Sequence, residues 1–523
     1  MKTADLVMCL VLAAAAAAPP GTAQAGERSP STYGIGVIVG NNTSLDPDLD
    51  PLAYADDDAF KYGWFLSFFL DQTTLLARPD RDTEALWRGT PHSPPTRDAV
   101  LDALDAAVSK AEERAAAGDD VVFYLVYSGH GNYDREGRGF LHLEDGKLTT
   151  RDLYYHVIGR SASFHVILVI DACNAGFLVR SRGSSDRRPA GASALVLEDY
   201  RNVGLVLSSS SNGEVKEWGR YLSGIFSHQV RSALAGAADA DEDGKVSFGE
   251  LAAFTEAANR QVENPVLKLT PYIRPPLDRP DLPLVDLAQP RLGRFVTMQF
   301  PESTRVSVVD DDLVPYADFR TEKDFHARIA LPGDSGFRIV VEGTREYAVT
   351  PEMSGTIGLE SLSQEKEGPL ASRGKDEYFT RNLFQVPYGA EFASGYLAGE
   401  YEASLVFVRP VERPWYENGW GWAAAGAGVA LSGVAAYYYS RALSDHDAAA
   451  GARWADDIDA YNRSARENQW IALGTGIAGS AALVGATALF LLDRPVEDVQ
   501  IAPRLGPVGL APASGGALLS MTY

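Results

Sequence analysis

Apolar residues gather in short unbroken runs over the first half of the chain, separated by stretches with a helical period. YGIGVIVG (33–40), DVVFYLVYSGHG (120–131), HVILVIDAC (165–173) and VGLVLSSSSNGEV (203–215) are four such runs. Runs of this length suit strands covered on both faces, as in a parallel sheet. Between them, DDDAFKYGWFLSFFL (56–70) and TRDAVLDALDAAVSKAEERAAAG (96–118) repeat apolar residues at helical spacing, the second closing on the helix stop Gly118. A further helix is expected to start near Gly224-Ile225-Phe226-Ser227. This alternation predicts an α/β domain over 33–286, with a mainly parallel sheet flanked by helices. Residues 263–290 hold seven prolines and little periodicity, and read as the tail of the domain and a linker.

Beyond that point the pattern changes. RFVTMQF (294–300), FRIVVEG (337–343) and ASLVFVRP (403–410) are short β-rich runs cut by Pro, Gly and Asp, and they predict a small antiparallel β-rich module over 291–408. Two uncharged stretches follow, 419–439 and 470–492. At ~1.5 Å per residue each can cross a hydrocarbon core of about 30 Å, so a C-terminal helical hairpin is expected, transmembrane or soluble, with a tail over 493–523. Trp420, Trp422, Tyr437 to Tyr439 and Trp470 stand near the ends of these stretches, where aromatic belts form, and Gly474, Gly476 and Gly479 suit close helix contact. Lys2, the apolar run 6–18 and Ala23-Gln24-Ala25 predict a signal peptide over 1–25. The domain would then be exported, facing the periplasmic or extracellular side, with Arg441, Arg453, Arg463 and Arg466 on the inner loop.

The net charge of −23 argues against nucleic acid as a partner and favours basic peptides. Of the two cysteines, Cys9 falls inside the signal run. Its removal leaves Cys173 as the sole cysteine in an oxidising compartment, where no intramolecular disulfide can form. Such a residue is either a small core hydrophobe or a nucleophile. Cys173 ends one apolar run and His130 another. Strands about 4.8 Å apart would bring thiol and imidazole together at the carboxyl rim of the sheet. Gly129 and Gly131 flank His130, and the N–H groups of Gly131 and Cys173 could meet a developing oxyanion, a set that fits acyl transfer.

YSGHG (127–131) and DACNAG (171–176), each after a buried strand, resemble the His and Cys motifs of caspase-like cysteine peptidases, nearest to the bacterial metacaspase type. VIVGNN (37–42), LAYADDDA (52–59), SSSSNGE (208–214) and GIFSH (224–228) extend the likeness over residues 33–260. The resemblance implies Cys173 as nucleophile, His130 as its acid/base partner and cleavage after Arg or Lys. It also implies acidic substrate-binding residues, Asp171 in the D-x-C motif and Asp58. Asn174 and Ala175 depart from it, since relatives commonly carry His and Ser there. Arg180, Arg182, Arg187 and Arg188, in the basic loop 179–191, are candidate self-processing sites. The competing class is a catalytically silent caspase-like module that binds or scaffolds at the envelope.

DADEDGKVSFGE (239–250) fits the twelve-position calcium loop of an EF-hand. The expected ligands are Asp239, Asp241, Asp243, Lys245 through its carbonyl, Ser247 and Glu250, with Gly244 at the turn. Hard oxygen ligands at alternate positions can wrap one Ca2+, in a structural or a regulatory role.

Overall fold

The computed structural model describes residues 32–501 apart from 48, 135–137, 174, 176–199, 209–216, 265–266, 334, 343, 368–375, 401–406, 413–418 and 493–495. The signal segment 1–25, Asn174 and the candidate self-processing sites Arg180, Arg182, Arg187 and Arg188 lie outside the described residues.

Strand β1 (Thr32–Asn41) leads through helix α1 (Ala55–Leu66) to β2 (Gln72–Ala77). Helices α2 (Arg81–Leu86) and α3 (Arg97–Ala116) precede β3 (Asp120–Gly129). Thr96 starts α3 by accepting the Ala99 N–H at 3.4 Å, and Gly118, at φ +91°, turns the chain out of it. A small sheet of β4 (Gly131–Tyr133), β5 (Gly139–His142) and β6 (Lys147–Thr149) comes next, with α4 (Thr150–His156). Strands β7 (His165–Asp171) and β8 (Val203–Leu207) complete the parallel core. The hairpin β9 (Glu217–Trp218) and β10 (Ser223–Gly224) then feeds α5 (Ile225–Ser232) and a π-helical turn, Ala233–Ala237. After β11 (Lys245–Val246) and α6 (Phe248–Asn259) come β12 (Tyr272–Arg274) and β13 (Val285–Asp286).

The main sheet runs β12-β8-β7-β3-β1-β2, parallel except for the edge strand β12. Alternate residues of each strand feed two cores. Tyr124, Val126 and Val169 pack on the face shared with α1, α5 and α6, while Phe123, Leu125 and Leu168 pack with α3. Burial on both faces is the physical reason the strands read as unbroken apolar runs.

Residues 263–290 do more than link. Tyr272 pairs with Leu207 at the sheet edge, and Asp286 pairs with Lys245 of the acidic loop. All seven prolines fall outside these short strands, with Pro275, Pro276, Pro280 and Pro283 between them, and an edge strand tolerates such neighbours.

The β-rich region comprises β14 (Arg294–Gln299), β15 (Arg305–Asp310), β16 (Pro315–Arg320), β17 (His326–Leu331), β18 (Phe337–Val341), β19 (Arg345–Val349), β20 (Gly355–Gly358) and β21 (Gln364–Glu367). They form sheets β16-β15-β18-β19-β21 and β17-β14-β20, antiparallel apart from β14 with β20. Helices α7 (Asp376–Asn382) and α8 (Ala390–Leu397) follow. No described residue of the run ASLVFVRP joins this region. Its described part lies in β22 (Phe407–Glu412), which pairs with β23 (Val496–Ile501) across the hairpin of α9 (Gly419–Gly451) and α10 (Ala455–Leu492). Among the described residues, Ala455–Phe490 is long and apolar enough to cross a membrane, by length and composition.

Candidate active site

Strands β3 and β7 are paired neighbours whose register sets Ser128 opposite Asp171. Two residues further along each chain stand His130 and Cys173, so imidazole and thiol leave the sheet at the same carboxyl rim. The backbones meet closely there. A Cβ on Gly131 would lie 2.4 Å from the Cys173 carbonyl oxygen and 3.1 Å from Ala172 Cβ, so only glycine fits. Cys173 is 2% exposed and is not in a disulfide. Ser208, just past β8, braces the turn before the thiol: its hydroxyl accepts the Ala172 N–H at 3.0 Å and donates to the Ala172 carbonyl at 3.2 Å.

The Nε2–H of His130 donates to the main-chain carbonyl of Asp50 at 3.0 Å. A carbonyl can only accept, so this bond fixes the neutral ring as the Nε2–H tautomer and leaves Nδ1 as an acceptor. Burial lowers the pKa of His130, with the Asp50 carbonyl acting the other way. Tyr127 supports the loop from below, its hydroxyl donating to the carbonyls of His130 at 2.9 Å and His142 at 2.7 Å. The ring of His142 lies 6.0 Å from that of His130 and is pushed down to about 4, by burial first and then by His130. Nothing in the sequence pattern singles out His142.

Asp58, in the first turn of α1, and Asp171, at the end of β7, converge. A Cβ on Gly224 would stand 2.6 Å from Asp171 Oδ2 and 3.1 Å from Asp58 Oδ2. Asp171 accepts the N–H and hydroxyl of Ser227 at 3.1 and 2.7 Å. Burial, and then the charge of Asp58, push its carboxyl up to about 6. Asp58 accepts from Gly224 N–H at 2.9 Å, Ser128 Oγ at 3.2 Å, Arg231 Nη1 at 2.9 Å and the Ser223 hydroxyl. Its charge is therefore matched inside the fold by Arg231.

Three further groups complete the cluster, two of them, Glu217 and Arg231, from elements far along the chain and the third, Lys61, from α1 itself, where nothing in the local sequence marks it. Glu217 accepts the Ala53 and Tyr54 N–H groups and is pushed up to about 7, by burial first, with Asp58 and Asp171 adding to it. Arg231 reaches in from α5. Lys61 of α1, buried, donates to the Tyr221 carbonyl at 3.1 Å and to the Leu222 carbonyl. Leu222 sits at φ +47°, a conformation uncommon for a branched side chain, so the lysine pins a strained turn.

In the acidic loop, Asp239, Asp241 and Asp243 bring carboxylate oxygens within 4.8 Å of one another. Asp239 accepts the Gly244 N–H at 3.1 Å, and Gly244 adopts φ +80° as the sharp turn needs. The other Asp239 oxygen is buried without a hydrogen-bond partner, a donor set a hard cation would satisfy. Ser247 and Glu250 cap α6 reciprocally, Glu250 also accepts the Ala240 N–H at 2.9 Å, and Lys245 lies in β11.

Taken together, the domain is a parallel-sheet α/β module with a thiol and an imidazole at one rim, beside a buried acidic cluster. Residues 35–277 match the family model of the caspase domain, Peptidase C14, so this part of the chain is a caspase-like domain. No curated protein matches the chain. Among solved structures it is similar to the crystal structure of protein GSU0716 from Geobacter sulfurreducens, with TM-score 0.29 and 18% identity over 46% of this chain and 92% of that one. It is also similar to pro-sf-caspase-1, with TM-score 0.23 and 12% identity over 38% and 70% of the two chains.

Proposed function

We propose that the protein is a cysteine endopeptidase that cleaves after Arg or Lys through Cys173 and His130. The observation that carries this reading is the paired register of β3 and β7, which sends both groups to one rim above Asp171. In this mechanism Nδ1 of His130 takes the Cys173 proton, and the thiolate attacks the scissile carbonyl. Negative charge on the tetrahedral oxygen meets the N–H groups of Cys173 and Gly131. The imidazolium then protonates the departing amine, and water releases the acyl group by the reverse sequence. Asp171 supplies the negative ground for a basic side chain, with Asp58, already paired to Arg231, beside it.

Calcium in the 239–250 loop would be held by Asp239, Asp241, Asp243, the Lys245 carbonyl, Ser247 and Glu250, bracing the turn between α5 and α6. The hairpin would hold the protein to a membrane with the peptidase domain exported. The test is hydrolysis of Arg-, Lys- and Asp-ended fluorogenic peptides by the full chain and by Cys173→Ala. Turnover of the basic peptides that vanishes in the variant is expected, and equal turnover by both proteins would end the reading. A second reading, a silent caspase-like binding module, is favoured by the Arg231 guanidinium already paired with Asp58 at 2.9 Å. It predicts no turnover with binding intact.

A further inference from the structure

Helix α5 has two working faces. Ser227 and Arg231, one turn apart, reach Asp171 and Asp58 of the acidic pocket. His228 and Ser232, also one turn apart, reach the β-rich region instead. The Nε2–H of His228 donates to Asp318 Oδ2 at 2.9 Å, and the hydroxyl oxygen of Ser232 accepts the Asp318 N–H at 3.0 Å. All of these side chains are buried. Asp318 belongs to β16, where its second oxygen accepts the Ser307 hydroxyl at 2.5 Å and faces Arg305 at 3.7 Å. The ring of Tyr221 stacks on His228 with centroids 3.8 Å apart, and the carbonyl of Tyr221 is the one held by Lys61. The hairpin β9–β10, α5 and the β-rich region are thus hydrogen-bonded into one unit beneath the pocket.

We propose that Asp318 is a positioning residue for the acidic pocket: through His228 and Ser232 it fixes the helix that presents Ser227 and Arg231 to Asp171 and Asp58. The β-rich region thereby sets the affinity for a basic side chain, a step that rests on the substrate class proposed above. Plain domain glue would behave differently. It would lower the melting temperature on loss of Asp318 and leave peptide affinity where it was.

The experiment uses the full chain in a Cys173→Ala background, so that binding is read without turnover. Calorimetry with an arginine-ended peptide is compared for the parent, Asp318→Asn and Ser232→Ala, beside amide exchange over residues 217–232. Asn keeps the shape of the carboxylate with only one acceptor oxygen, so it cannot serve both His228 and Ser307 fully. The expected result is a Kd raised about fivefold or more, with faster exchange in α5 and the hairpin. Parent-like affinity in both folded variants, or a parent that does not bind the peptide, overturns the proposal. Should Asp318→Asn fail to fold, Ser232→Ala, which removes a single hydroxyl, decides by the same two readouts. Failure of the peptidase reading shows separately, as absent turnover by wild type.

Discussion

Asp171 carries the clearest consequence at the scale of single residues. Its carboxyl is pushed up to about 6, so it is ionised above that pH and protonated below. A pocket that binds a cation loses its charge on protonation, so KM for Arg-ended peptides should rise as pH falls through 6, seen as an acid limb in kcat/KM. Asp171→Asn should remove the part of that limb carried by KM, leaving the part carried by kcat that comes from protonation of His130, and raise KM at neutral pH by about tenfold or more. Lys61 gives a second case. Lys61→Met leaves two buried carbonyls without their donor, and should cost about 2 kcal/mol or more by denaturant melts while weakening Arg-peptide binding. The shared rim of Cys173 and His130 could be read in the sequence because each closely follows an apolar run, and a parallel sheet gathers its strand ends. Lys61, Glu217 and Arg231 could not, since each finds its partners on an element far along the chain.

Among elements, those with their own punctuation were legible and those that borrow stability were not. Helix α3 announces itself by Thr96 and Gly118, while β12 and β13 are a few residues each in a proline-rich stretch and exist because Leu207 and Lys245 offer edges to pair with. The pairing of β11 with β13 also fixes one side of the acidic loop, so cation binding there should steady that two-stranded sheet. Added Ca2+ is expected to raise the melting temperature by several degrees, by the linkage of binding to folding. Asp239→Asn, which alters the buried and unpartnered ligand, should abolish the shift, and chelator should reverse it in wild type. No change in melting with Ca2+ would remove the ion from this account. The β-rich region showed its strands in the sequence but not its role, because Asp318 meets His228 across 90 residues of chain.

For the whole molecule, the two long helices extend past the uncharged stretches into a polar far half, where Asp445 accepts from Ser464 at 2.7 Å and Asn468 at 2.9 Å. In the apolar half, Cβ atoms added at Gly428 or Gly479 would each meet the other's carbonyl oxygen at 3.0 Å, so the helices touch backbone to backbone. Full-length protein should sediment with membranes and need detergent for release, and a chain ending before Gly419 should stay in the supernatant. Equal partitioning of the two would exclude a spanning hairpin. Phe407 pairs with Ile501 in the backbone register where β22 meets β23, and this ties the two feet of the hairpin together. An epitope at either foot would therefore share one compartment and be shaved by the same added protease. Were the hairpin to span a bilayer, it would have to enter bend first and already zipped.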